Sequence, residues 1–76
     1  MIVRIALWNL ADSMTTIAEL RPQLPESENR TWISDESGER FGVIETWDEQ
    51  PEDFPQELLS LIGKDPDVAE IFDVER

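Results

Sequence analysis

The chain has 76 residues, 6 basic and 18 acidic, for a formal net charge of −12, and it contains no Cys, His or Tyr. Those absences exclude disulfides, thiolate nucleophiles, sulfur- or imidazole-ligated metals and any catalytic triad built on His. Leu, Ile, Val and Phe make up 21 of the 76 residues, above the roughly one-fifth under which a highly charged chain stays disordered, so one small folded domain spanning 1–76 is expected.

Ile2, Val3, Arg4, Ile5, Ala6, Leu7 and Trp8 are rich in β-branched and aromatic side chains and predict a strand. Neither of its two faces is polar, which suits a central strand covered on both sides. Asp12 or Ser13 is placed to cap a helix over 14–21, with room to run to 24. Met14, Ile17, Ala18 and Leu20 form its apolar stripe, and Pro22 and Pro25 end it. Residues 31–34 and 40–47 predict a β-hairpin across a polar turn at 35–39, with Gly38 suited to positive φ. Pro51, Asp53 and Pro55 mark the start of a second helix, in which Phe54, Leu58, Leu61 and Ile62 recur at helical spacing and Gly63 ends the pattern. Residues 70–75 alternate Ile71, Asp73 and Glu75 against Phe72 and Val74 and predict a last strand.

The order β-α-β-β-α-β predicts an α+β, ferredoxin-like sandwich: a four-stranded antiparallel sheet, first and third strands central, with both helices on one face. The helices are expected over Val3, Ile5, Leu7, Ile33, Ile44, Phe72 and Val74. The opposite face then carries Ile2, Arg4, Ala6, Phe41, Val43, Glu45, Ile71, Asp73 and all three tryptophans. Left in water it would expose a larger apolar patch than most monomers tolerate, and a second copy of the sheet is the simplest cover. A homodimer is therefore the expected assembly.

A charge of −12 argues against nucleic acid and anionic membranes as partners, because both are held by Lys and Arg. No apolar run approaches the about 20 residues of a membrane span, and the cytoplasm is the expected location. The acidic balance reads as the solvated surface of a soluble domain, or else as the mark of a partner for a basic protein. The acids of the turns at 35–39 and 65–67 lack the spacing of a calcium loop and read as solvated turns.

Trp8, Trp32 and Trp47 offer flat faces for a planar ligand, or else they fill core and interface. Arg4 and Glu45 fall on the same face of neighbouring strands. They are placed to polarise or deprotonate a bound phenol, with Glu45 the base, or else to form a structural pair for which Asp73 competes. Asn9, at a strand end, suits the capping of a loop or else a catalytic role. No metal or cofactor is called for.

The β-α-β-β-α-β order, the opening strand Ile2-Val3-Arg4, the third strand Val43-Ile44-Glu45-Thr46-Trp47 with its acidic turn, and the ending Phe72-Asp73-Val74-Glu75 resemble the dimeric α/β-barrel superfamily. Within it, the antibiotic-biosynthesis-monooxygenase-like domains are the nearest likeness. The resemblance implies two sheets facing each other around a small apolar pocket. Members include cofactor-independent monooxygenases of aromatic polyketides, which lean on Asn and Trp, and haem-degrading enzymes that use an Asn, a Trp and a His. Asn9 and Trp47 stand at the first two positions. The His has no counterpart, which argues against haem degradation by that route.

The resulting expectation is a homodimeric barrel domain that binds a small apolar or aromatic ligand. As an enzyme it would be a cofactor-independent monooxygenase, with Trp8 and Trp47 holding substrate, Asn9 orienting oxygen or an oxyanion, and Glu45 as base. The alternative is an acidic protein-interaction module without enzymatic activity.

Overall fold

The computed structural model describes residues 1–54 and 56–75. Strand β1 (Ile2–Asn9) leads to the one-turn helix α1 (Ile17–Leu20), which tightens into a 3₁₀ turn over Arg21–Gln23. Strands β2 (Arg30–Ser34) and β3 (Arg40–Trp47) form the hairpin, and helix α2 (Gln56–Ile62) and strand β4 (Val68–Asp73) complete the chain. The sheet order is β2-β3-β1-β4, every pair antiparallel. A four-stranded antiparallel sheet with two helices in this order is an α+β arrangement that fits the ferredoxin-like expectation.

The first helix is shorter than the pattern predicts. Neither Asp12 nor Ser13 caps it. Thr16 is the cap, its hydroxyl accepting from the Glu19 amide at 3.3 Å, and Met14 lies outside the helix and is 98% exposed. Ser13, Thr15 and Thr16 can each bind nearby backbone groups and favour turns there, and the Ser13 hydroxyl accepts from the Thr15 amide. Pro22 then stops the α-helix within one turn. Of the residues expected to open the second helix, Pro55 lies outside the described residues. Gly63 ends α2, its amide donating to the Leu59 carbonyl at 2.8 Å. The last strand begins two residues before the predicted 70–75 and stops at Asp73.

Between β2 and β3, Gly38 takes φ +75°, as the turn requires. Asp35 organises that turn. Its carboxylate accepts from the Ser37 hydroxyl, the Gly38 and Arg40 amides and the Arg40 Nε.

The two faces of the sheet are used the opposite way round from the expectation. Ile17 and Leu20 of α1 and Leu58 and Ile62 of α2 bury themselves with Ala6, Trp8, Phe41 and Val43 in a single core. Trp8 and Phe41 stack at 5.3 Å between ring centres, and Trp32 stacks on Phe41 at 6.1 Å. The helices therefore cover the tryptophan face. The physical reason is volume: two short helices leave a layer that small aliphatic side chains would not fill, and bulky aromatic rings do. The uncovered face carries Val3, Ile5, Leu7 and Ile44, half-buried by one another, with Ile33, Val68 and Phe72 exposed. All six residues of β4 are exposed, so the helix layer stops short of this strand.

Candidate functional site

On the helix side, Arg4 and Glu45 sit opposite each other in the β1–β3 register, and Arg30 lies opposite Glu45 in β2. Alternation sends all three side chains inward. The Arg4 Nε and Nη2 donate to Glu45 Oε1 at 3.1 and 2.8 Å, and the Arg30 Nε donates to Glu45 Oε2 at 3.2 Å. Arg4 is 6% exposed and Glu45 1%. The Arg4 Nη1 also donates to the Glu52 carbonyl at 2.6 Å, and its guanidinium lies 3.7 Å from the Phe54 ring centre and 4.8 Å from that of Trp47. Burial of three charges is tolerable because each is paired and hydrogen-bonded. No buried side-chain nitrogen or oxygen among the described residues lacks a partner.

Arg4, Glu45, Trp8 and Trp47 are thus brought together with Phe54, which packs edge-on to Trp8 at 5.9 Å between ring centres. Trp8 donates its Nε1–H to the Lys64 carbonyl at 3.1 Å, and Trp32 donates its own to the Pro25 carbonyl at 3.1 Å. Each indole is committed to the fold at both its flat face and its polar edge. Trp32 stands apart from the Arg4 group, on the outer strand beside Phe41. Arg30 and Glu52 escaped the sequence reading, and Phe54, expected on the second helix, lies before it. Arg30 had one usable signal, since it shares the inward phase of Trp32, two residues on.

Asn9 is elsewhere, exposed at the end of β1. Its Oδ1 accepts from the Ala11 amide at 2.9 Å, its amide donates to Asp67 Oδ2 at 2.7 Å, and its carbonyl accepts from Lys64 Nζ at 2.8 Å. The Asn9 amide and then the Lys64 ammonium hold the Asp67 carboxyl below its ordinary value of 3.8. Asn9 and Trp47 lie at opposite ends of the eight-residue register and on opposite faces of the sheet.

On the open face a groove of about 320 Å³ lies at the hairpin end, lined by Leu7, Ile33, Ser34, Asp35, Arg40, Phe41 and Gly42. That volume falls at the lower end of small-molecule sites. Gly42 is needed for space: a Cβ there would meet the Ala6 carbonyl oxygen and come within 2.6 Å of Leu7 Cδ2. Leu7 therefore lies across Gly42 and makes an apolar floor. Arg40 and Asp35 form a polar rim at 3.2 Å from each other, with the Arg40 side chain 69% exposed and only its Nε engaged among the described residues.

Among the described residues no three acidic side chains converge as a metal site, and no helix is long and apolar enough to cross a membrane. No protein-family model matches the chain, and no curated protein matches it either.

Proposed function

We propose that this chain is a self-pairing binding domain: two copies pack open face to open face, as in a dimeric α/β barrel, and the groove over Leu7, Ile33 and Gly42 takes a small apolar or aromatic molecule. The observation that carries this reading is the open face itself. Val3, Ile5, Leu7, Ile33 and Ile44 stand in neighbouring strands with no described element over them. Within the strands, Glu70 is the one charged side chain of this face away from the hairpin end.

The size of the face supports a second copy as cover. Its central strands have eight residues each, so they run about 26 Å, while four strands span about 19 Å at about 4.8 Å spacing. Because β2 and β4 are shorter, at five and six residues, a flat projection of about 430 Å² per copy gives about 860 Å² for the pair, which side-chain relief raises toward the roughly 1,000 Å² of a specific interface.

Binding is favoured over oxygenation by what the expected catalytic groups already do. Both Glu45 oxygens receive guanidinium hydrogens under the helices, and Asn9 Oδ1 closes a turn. The ligand contacts move accordingly, from the tryptophans to Leu7, Ile33, Gly42 and the Arg40 rim.

Light scattering over a dilution series tests the pairing. A dimer persisting to about 1 µM, equivalent to about −8 kcal/mol, is expected. Ile5→Lys should give a folded monomer, because its side chain lies at the centre of the open face and touches none of the buried core. The fluorescence of added 2-naphthol should then report one site per protomer in the dimer, lost in Leu7→Lys. A wild-type protein that stays monomeric at about 100 µM overturns the pairing.

A further inference from the structure

Strand β4 forms one border of the sheet, and among the described residues no strand pairs with its outer edge. The phase of its hydrogen bonding follows from two observations. The Val74 amide donates to the Met1 carbonyl at 3.0 Å, and the register runs from Ile2 opposite Asp73 to Leu7 opposite Val68. Antiparallel partners alternate between hydrogen-bonded and non-bonded pairs. Val68, Glu70 and Phe72 therefore turn their backbone groups to β1, and Ala69, Ile71 and Asp73 turn theirs outward.

An open edge of this kind is ordinarily blunted by Pro, by charged side chains, Lys above all, or by a covering element, and here the only charges on the strand are Glu70 and Asp73. Val68–Asp73 contains neither Pro nor a basic residue, and all six of its residues are exposed. Ile71 is 56% exposed on the helix side and Phe72 47% on the other, so an added strand would gain apolar contact on both faces. Among the described residues the charges beside the edge are acidic except for Lys64. Asp65, Asp67, Glu70, Asp73 and Glu75 border or belong to the strand, and Lys64 is occupied by Asp67 at 3.0 Å and by the Asn9 carbonyl.

We infer that the β4 edge is a docking site for an extended, Lys- or Arg-bearing segment of another protein, which adds to the sheet as a fifth strand beside Ala69 and Ile71. A second copy of this chain is a poor occupant of the edge. In the two longest self-pairings, a two-fold at Glu70 sets both Glu70 carboxylates directly opposite, and a two-fold at Ile71 leaves them diagonal on the same face, with no basic residue of β4 to offset them. Like charges so placed destabilise a strand pair. A basic strand meets the same carboxylates with opposite charge, backbone bonds giving affinity and alternate side chains giving specificity. The edge groups lie in the plane of the sheet, so the site is independent of face-to-face pairing.

The probe is an acetylated, amidated octapeptide of alternating Lys and Val, added to ¹⁵N-labelled full-length protein. Exchange of the Ala69 and Ile71 amides should slow by about tenfold or more. The same peptide with alternate backbone amides N-methylated, and a Glu-Val octapeptide, should leave them unchanged. Ile71→Pro removes an outward donor without deleting a bond to β1, and it should abolish peptide binding while the far-UV circular dichroism is kept. If that variant does not fold, the N-methylated peptide carries the same comparison.

Equal binding of the methylated peptide would mean attraction by charge alone and would overturn the site. So would protection of Ala69 and Ile71 in the protein alone that fades on dilution, since the edge would then belong to a second copy. Absence of any effect of the Lys-Val peptide at about 1 mM, where even a contact of about −4 kcal/mol registers, would overturn it as well.

Discussion

Glu45 shows how a single side chain can mislead a reading from sequence and still be placed correctly. Its spacing relative to Arg4 put the two on one face of neighbouring strands, and the structure pairs them at 2.8 Å. Their environment was the part that alternation does not reveal: this face was expected to meet a second sheet, yet Arg4, Glu45 and Arg30 neutralise one another under the helices. Once the carboxylate is removed, two guanidinium groups are left buried with no counter-charge. Glu45→Gln is expected to destabilise the fold by about 3 kcal/mol, the usual cost of breaking a buried ion pair from one side. Urea unfolding followed by tryptophan fluorescence measures it, and a loss under about 1 kcal/mol would show that the triad does not hold β1, β2 and β3 in register. Replacing all three charges together, with Arg4→Met, Arg30→Leu and Glu45→Leu, should recover most of that loss, because no unpaired charge then remains.

At the scale of elements, the hairpin was legible and the first helix was not, for reasons of local chemistry. The run 35–39 offers Asp, Ser and Gly at the positions a turn uses, and every one of them acts locally: Asp35 gathers Ser37, Gly38 and Arg40, and Gly38 supplies the positive φ. Residues 12–16 carry competing signals, and which of Asp12, Ser13 or Thr16 caps the helix depends on how Ile17 and Leu20 reach the core. The hairpin also yields a pH prediction. The Ser37 hydroxyl, the Arg40 and Gly38 amides and the Arg40 charge hold the Asp35 carboxyl below its ordinary 3.8, against a partial opposing effect of burial. A folded value below the unfolded one means that the ionised form supports the fold. That support is complete above 3.8 and is lost as pH falls from there through the folded value. Asp35→Asn should therefore be less stable than the parent at neutral pH, with the gap closing only below about pH 4. Paired melts from pH 7 to pH 2.5 or so decide it, and a gap that stays constant over that range would assign Asp35 a purely geometric role.

For the whole molecule, the strand order and its central pair followed from the element order, whereas the side of the sheet that the helices take did not. Alternation divides β1 into Val3, Ile5 and Leu7 on one side and Arg4, Ala6 and Trp8 on the other, and both sets are apolar enough to be covered. Hydropathy favours the first set. Packing volume favours the second, because Trp8 and Phe41 fill a layer that one turn of α1 and two turns of α2 cannot. What survives that inversion is the inference that one apolar face lacks a cover among the described residues, and it leads to a test on the scale of the molecule. Each copy carries a charge of −12, so face-to-face pairing gathers two strongly negative bodies around an interface that is itself nearly uncharged. Added salt screens the repulsion without weakening the apolar contact. The β4 edge has the opposite character, since its partner is drawn in by opposite charge. Raising NaCl from about 50 to about 500 mM, which shortens the screening length from roughly 14 Å to roughly 4 Å, should therefore strengthen the dimer and weaken the Lys-Val peptide complex in the same sample. Sedimentation velocity reads the first and peptide anisotropy the second. A dimer that dissociates as salt rises would place complementary charges, not Ile5 and Ile44, at the centre of its interface.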